Sequence, residues 1–194
     1  MMTTARDALA VRLAGATTDV AAGERAEELE GLVTQLFEEL GRPVSRYIRG
    51  FVRDGAVARE LTQEVFVRLC SELRAGRGVV DARAWLFRVA HNLAIDEQRR
   101  LRVRESHESA VDPSDVPFGL SDPAPSAEYE LLRRERQGWL RGALQQLSAQ
   151  ERRCLFLRAQ GLRYREIAEV LDIRIPTVVT FLTRAIQKLS KARP

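Results

Sequence analysis

The sequence is poor in the residues from which small catalytic and cross-linked sites are built. Its 194 residues include two cysteines, two histidines, two tryptophans and two methionines. Cys70 and Cys154 each lie inside an apolar helical pattern, with no second Cys or His at ligand spacing. That excludes a disulfide framework and a Cys/His metal site, and makes a reducing cytoplasm the default compartment. His91 and His107 have no nucleophile or base at a useful spacing, and no Gly-rich phosphate loop is present. No catalytic residue, metal or cofactor is therefore expected, and the chain does not read as an enzyme. Long apolar runs are missing as well, so neither a signal peptide nor a membrane span is expected. Lysine is nearly absent: of 31 basic residues only Lys188 and Lys191 are lysine, and the net charge is a mild +4. Such an arginine bias fits a GC-rich genome, and arginine also suits phosphate contacts through its forked, permanently charged head.

Strand signals are equally scarce, because no sustained alternation of apolar and polar residues occurs. What remains is helical periodicity, and the expected fold is all-α, in two small helical domains. Residues 1–28, Ala-, Thr- and charge-rich, read as a flexible or loosely helical tail. A first helix is predicted from about Leu29 to Val52, with Leu32, Leu36, Phe37, Leu40, Val44, Tyr47, Ile48 and Phe51 on or near one face. Gly41 and Pro43 either kink it or divide it. Leu61, Val65, Phe66, Leu69 and Leu73 mark a second helix, ended by Gly76 and Gly78. Asp81 caps a third, in which Trp85, Leu86, Val89, Leu93 and Ile95 are apolar and Arg99, Arg100, Arg102 and Arg104 make the end basic. That run is either a solvated helix terminus or a phosphate-facing surface.

Between Glu105 and Ala127 the pattern collapses into an acidic stretch with four prolines and no Lys or Arg, which reads as an extended linker. A second domain, 128–194, opens with a helix carrying Leu131, Leu132, Trp139, Leu140, Leu144 and Leu147. Ser148 and Glu151 have capping-box spacing before the next helix, and Gly161 closes it. A short helix with Ile167, Ala168, Val170 and Leu171 inward follows, then a tight turn and a last helix with Pro176 in its first position. Val178, Leu182, Ala185, Ile186 and Leu189 are its expected core contacts. A short helix, a turn and a longer amphipathic helix make a helix-turn-helix candidate.

Three stretches occur in an order that carries more information than any one of them. "ARELTQEVFVRL" (Ala58 to Leu69) and "WLFRVAHNLAIDEQRR" (Trp85 to Arg100) resemble the first-domain motifs of bacterial RNA polymerase sigma factors, best those of the extracytoplasmic-function (ECF) type. The segment from Leu147 to Ala185 resembles the promoter-reading second domain of that group. The resemblance covers about residues 29–104 and 128–191, with the acidic linker where such proteins carry theirs.

It implies a transcription initiation factor that binds core RNA polymerase, directs it to promoter DNA and assists strand opening. Glu60, Gln63 and Glu64 would contact the clamp helices of the largest polymerase subunit, and the second domain the flap of the second-largest. Arg88, His91, Asn92, Arg99 and Arg100 would hold single-stranded promoter DNA, a task that needs a basic track and a surface for unstacked bases. Trp85 suits the core better than a stacking platform. Tyr164, Arg165, Thr177, Val179, Thr180, Phe181 and Arg184 would form the major-groove set. An anti-sigma factor is a further possible partner.

This sequence departs from the family pattern at Arg59, where an acid is usual, and at Val179 and Phe181, which replace two charges. Losing two phosphate contacts would lower the salt dependence of DNA binding by about two units of slope. On the residues alone two other readings stay open. One is a regulator using only the helix-turn-helix; the other is a polymerase-binding protein with altered promoter recognition.

Overall fold

The computed structural model describes residues 21–52, 54–105 and 142–191. Among them lie α1 (Ala21–Arg49), α2 (Gly55–Arg74), α3 (Ala82–Glu105), α4 (Ala149–Ala159), α5 (Tyr164–Leu171) and α6 (Ile175–Lys191), with no strand. Residues 142–145 form one further helical turn. The all-α expectation holds. The first 20 residues, the linker after Glu105 and the predicted helix as far as Arg141 lie outside the described residues.

Local chemistry sets most of the boundaries. Asp54, in an extended conformation, caps α2 by accepting the Ala56 amide at 2.7 Å, and Gly76 ends the helix with φ +68°. There the left-handed conformation favours glycine, whereas Gly78 shows no such requirement. The Asp81 carboxylate accepts the Ala84 amide at 3.0 Å, as the sequence suggests. At α4 the capping box is complete: Glu151 N–H donates to Ser148 Oγ at 3.2 Å, and Ser148 N–H donates to Glu151 Oε2 at 2.8 Å. Gly161, at φ +87°, follows that helix.

Three details differ from expectation. α1 begins at Ala21, inside the predicted tail, and runs without a break through Gly41 and Pro43. Pro43 removes one backbone donor, but flanking buried side chains keep the helix on its path. α6 begins at Ile175, so Pro176 is its second residue; its missing N–H still falls in the first turn, where amides have no intrahelical acceptor. Ile186 is 59% exposed rather than packed, because Val178, Leu182 and Ala185 fix the helix phase and leave it outside their stripe.

α1, α2 and α3 pack as one bundle. Leu36, Leu40, Val44, Tyr47 and Ile48 of α1 meet Val65, Phe66, Leu69 and Leu73 of α2 and Leu86, Phe87, Ala90 and Ala94 of α3, all buried. Each large apolar side chain so buried contributes roughly 1.5–3 kcal/mol before entropy is charged against it. α4, α5 and α6 form a second bundle around Cys154, Leu157, Leu162, Ile167, Val170, Leu171, Val178 and Leu182. The two bundles share a continuous apolar cluster, and α3 packs on α5. Arg83 fastens the seam from the polar side: its guanidinium pairs with Glu39 of α1 and donates to the Gln160 carbonyl at 3.2 Å, beyond the end of α4.

Candidate functional site

The helix α2 has one face committed to the core by Ala58, Thr62, Val65, Phe66 and Leu69. That commitment turns Arg59, Glu60 and Gln63 to solvent, with Glu64 half-buried and paired to Arg68 at 2.7 Å. Both partners of that pair are accessible, so it adds little to stability and is easily exchanged for another partner.

α3 has two unlike faces. Arg88, Asn92, Arg99, Arg100 and Arg102 are exposed. Arg99 and Arg100 lie 3.7 Å and 3.5 Å from Asp96 and Glu97, loose exposed pairs that leave most of their donors available to an anion. Trp85 is half-buried against the core. His91 differs from the rest of the set that the sequence singles out. Its ring is half-buried and shares a 3.0 Å hydrogen bond with the buried Tyr47 hydroxyl. Burial, and secondarily the Arg153 charge, push its pKa down to about 4, so it is neutral near pH 7 and adds no cation to a phosphate track in this conformation.

His91 belongs to an aromatic seam between the bundles. Tyr47 has ring centroids of Phe51, Phe87 and Phe156 within 5.3, 5.6 and 5.5 Å. Phe156 of α4 also lies 6.1 Å from Phe87. The Arg153 guanidinium sits 4.2 Å from the centre of the Phe51 ring, a cation–π contact that carries charge into the seam. Burial lowers the pKa of Arg153 and raises that of Tyr47, keeping the phenol protonated. Sequence reasoning passed over Phe156, Arg153 and this role of Tyr47. A signal was available: "CLFL" (Cys154 to Leu157) makes the short helix α4 apolar over more than one face, and such a helix requires a second partner.

In the second bundle Glu151 is 3% exposed yet charged. Burial pushes its carboxyl up, but the Lys188 ammonium at 2.7 Å and the Ser148 amide outweigh that and hold it below the usual carboxylate range. The pair ties α4 to the end of α6. Cys154 is a free thiol that burial pushes up to about 11, which makes it a core residue rather than a nucleophile.

The turn between α5 and α6 is closed by Asp172 in the left-handed region, φ 52° and ψ 49°, a conformation that a short polar side chain tolerates. It presents α6 with Val178, Leu182 and Ala185 inward and Val179, Thr180 and Arg184 exposed. Thr177 is half-buried, and Phe181 is half-buried against the core, so of the two residues replacing charges only Val179 stands clear. On α5, Tyr164 is exposed with Arg158 5.5 Å from its ring centre, and Arg165 pairs with Glu169 at 3.0 Å. Among the described residues no group of three or more His, Cys, Asp or Glu is placed to hold a metal ion, and no helix is long and apolar enough to cross a membrane.

Residues 36–104 match the sigma-70 region 2 family and residues 137–189 match sigma-70 region 4. The chain is 33% identical over 147 residues to the RNA polymerase sigma-H factor of Pseudomonas aeruginosa, covering 73% of this chain and 76% of that protein. It is 33% identical over 161 residues to the ECF sigma factor SigL of Mycobacterium tuberculosis, covering 81% and 86%. The chain belongs to the sigma-70 family, in its ECF group. This sigma factor is also 30% identical over 166 residues to the sigma factor YlaC of Bacillus subtilis, covering 85% and 91%.

Two solved structures share the fold. CnrH in complex with the cytosolic domain of CnrY matches with a TM-score of 0.51 at 21% identity, over 89% of this chain and 94% of that one. RpoE in complex with the anti-sigma factor NepR from Bartonella quintana matches with a TM-score of 0.57 at 20% identity, over 82% and 94%. As a sigma factor, the protein binds core RNA polymerase, directs it to specific promoters and assists the opening of the DNA strands. Factors of this family act as transcription factors, by binding rather than by catalysing a reaction.

Proposed function

We propose that the sigma factor divides its work as the order of its motifs suggests. Residues 29–104 dock on the clamp helices of the largest polymerase subunit and open the upstream promoter element. Residues 105–127 are the acidic linker between domains, and residues 128–194 read the second promoter element and meet the flap of the second-largest subunit. Glu60, Gln63 and Glu64 make the clamp contact. Arg88, Asn92, Arg99 and Arg100 track the displaced strand, and His91 joins them only when the aromatic seam opens. Tyr164, Arg165, Thr177, Val179, Thr180, Phe181 and Arg184 form the major-groove set, with Phe181 acting largely from beneath.

The factor works in the cytoplasm, with no reaction of its own. An anti-sigma factor is a further partner, a reading supported by the likeness of fold to a sigma factor solved with one.

The observation that carries the polymerase assignment is the geometry of α2. Val65 and Phe66 anchor the helix in the core, and the same register sets Glu60 and Gln63 on its solvent side. Replacing Glu60, Gln63 and Glu64 together with alanine should weaken binding to purified core polymerase at least about tenfold while circular dichroism stays unchanged, since such hot-spot contacts are each worth about 1–2 kcal/mol. Unchanged affinity would place the contact on another face.

A further inference from the structure

Over its first two turns, Ile175 to Thr183, α6 carries no amide, carboxylate or guanidinium that could make a bidentate contact to a base edge. In helix-turn-helix proteins the first turns of the second helix meet the base edges in the major groove. Pro176, Val179, Thr180 and Thr183 stand there at i, i+3, i+4 and i+7, all exposed, and together they form one face over the first two turns. Proline has no donor and valine has no polar atom in its side chain. The Thr180 hydroxyl already donates its proton to the Pro176 carbonyl at 2.9 Å, so it is no longer a free donor to a base, and its methyl group adds to the apolar content of the face. Arg174 and Arg184, both exposed, flank this face. They suit phosphates on either side of the groove.

Among the four bases only thymine offers an apolar group in the major groove, its C5-methyl. We infer that the face formed by Pro176, Val179, Thr180 and Thr183 reads thymine methyl groups, with Val179 the principal specificity-determining residue. The promoter element read by the second domain then contains thymines at neighbouring positions, and guanine contributes little to its recognition. The inference rests on the major-groove assignment of α6 made above. It adds the base that is read and the group on that base.

The test uses full-length protein assembled with core polymerase. A randomised DNA library is selected for initiation, and in the recovered promoter each thymine of the upstream-most element is replaced in turn by deoxyuridine, which removes only the methyl. Removing a contacted methyl should lower open-complex formation about fourfold per position, the cost of losing one buried carbon. Val179→Ala should bind the thymine promoter about as weakly as wild type binds the uridine one, with little further loss on uridine. Val179→Arg should shift a repeated selection towards guanine, through a bidentate contact to O6 and N7.

Equal activity on thymine and deoxyuridine templates, with promoter-specific initiation intact, would overturn the inference and leave the sigma-factor assignment standing. So would a selected element without thymine. Recovery of no specific promoter would remove the major-groove reading, and the inference with it.

Discussion

His91 gives the fold a defined weakness to acid. In the unfolded chain its imidazole titrates near 6.5, whereas in the folded protein burial first, and the neighbouring Arg153 second, bring that value to about 4. Between these two values the unfolded chain binds a proton that the native state refuses, so stability falls as the pH falls from about 6.5 to about 4 and is fully present above that window. At about pH 5 the loss due to this one group is about 2 kcal/mol, and by pH 4 it approaches roughly 3 kcal/mol. The buried Glu151 acts in the same direction but lower, because its carboxyl is held ionised by Lys188 and releases that support only as the pH falls below the usual carboxylate range.

His91→Gln separates the two effects, since glutamine keeps a hydrogen-bonding partner for Tyr47 and cannot titrate. Urea unfolding followed by circular dichroism at pH 7.5, 6 and 5 should show the wild type losing about 2 kcal/mol across the series. The variant should lose little until the carboxylates begin to protonate. Parallel losses in the two proteins would mean that His91 is accessible and charged in the native state, and that the aromatic seam as described is not the solution structure.

Other perturbations follow from the same contacts. Lys188→Met leaves the Glu151 carboxylate buried beside Ser148 alone and should cost about 2 kcal/mol near pH 7, with the deficit shrinking as the pH is lowered towards 4; a deficit independent of pH would argue against the ion pair. Phe156→Ala removes the ring lying against both Tyr47 and Phe87 and should cost about 2 kcal/mol while raising the radius of gyration in small-angle scattering. An unchanged radius would mean the seam does not hold the bundles together. Val179→Arg adds a cation on the exposed face of α6 and should change promoter binding, in base preference where it meets a guanine or by up to about one unit of salt slope where it meets a phosphate; an unchanged preference together with an unchanged slope would place this face away from DNA.

The helices and their ends were legible because short-range rules govern them. Ser148 and Glu151 are three residues apart, Asp81 caps the helix it precedes, and the apolar stripes of α1, α2 and α6 repeat at helical intervals, so each signal lies within a few turns of its effect. Tyr47, His91 and Phe156 do not read as neighbours because no local pattern joins residues so far apart, on three separate helices of which the last belongs to the second bundle. The same limit explains His91: a histidine within an Arg- and Asn-bearing helix suggests solvent and phosphate, and burial against Tyr47 and Phe51, with the Arg153 charge nearby, makes it neutral. Ile186, expected in the core, and Phe181, expected on the DNA face, show a finer difference. Val178, Leu182 and Ala185 occupy the buried stripe of α6, which leaves Ile186 outside it, whereas Phe181 lies beside Leu182 at the stripe's edge and packs partly against the core. Of the candidate site residues, those on α2 have the most legible exposure, since a core-facing Val65 and Phe66 leave Glu60 and Gln63 no inward position.

This sigma factor directs polymerase to specific promoters, in the reading proposed above through two separate DNA contacts. Transcription by purified core polymerase on a genomic DNA library, with and without the full-length protein, tests it most directly. The expected result is a set of new start sites that depend on the protein and share two sequence elements at a fixed spacing, one opened and one read in the major groove. Tight binding to polymerase with no specific start sites, or no binding at all, would contradict it.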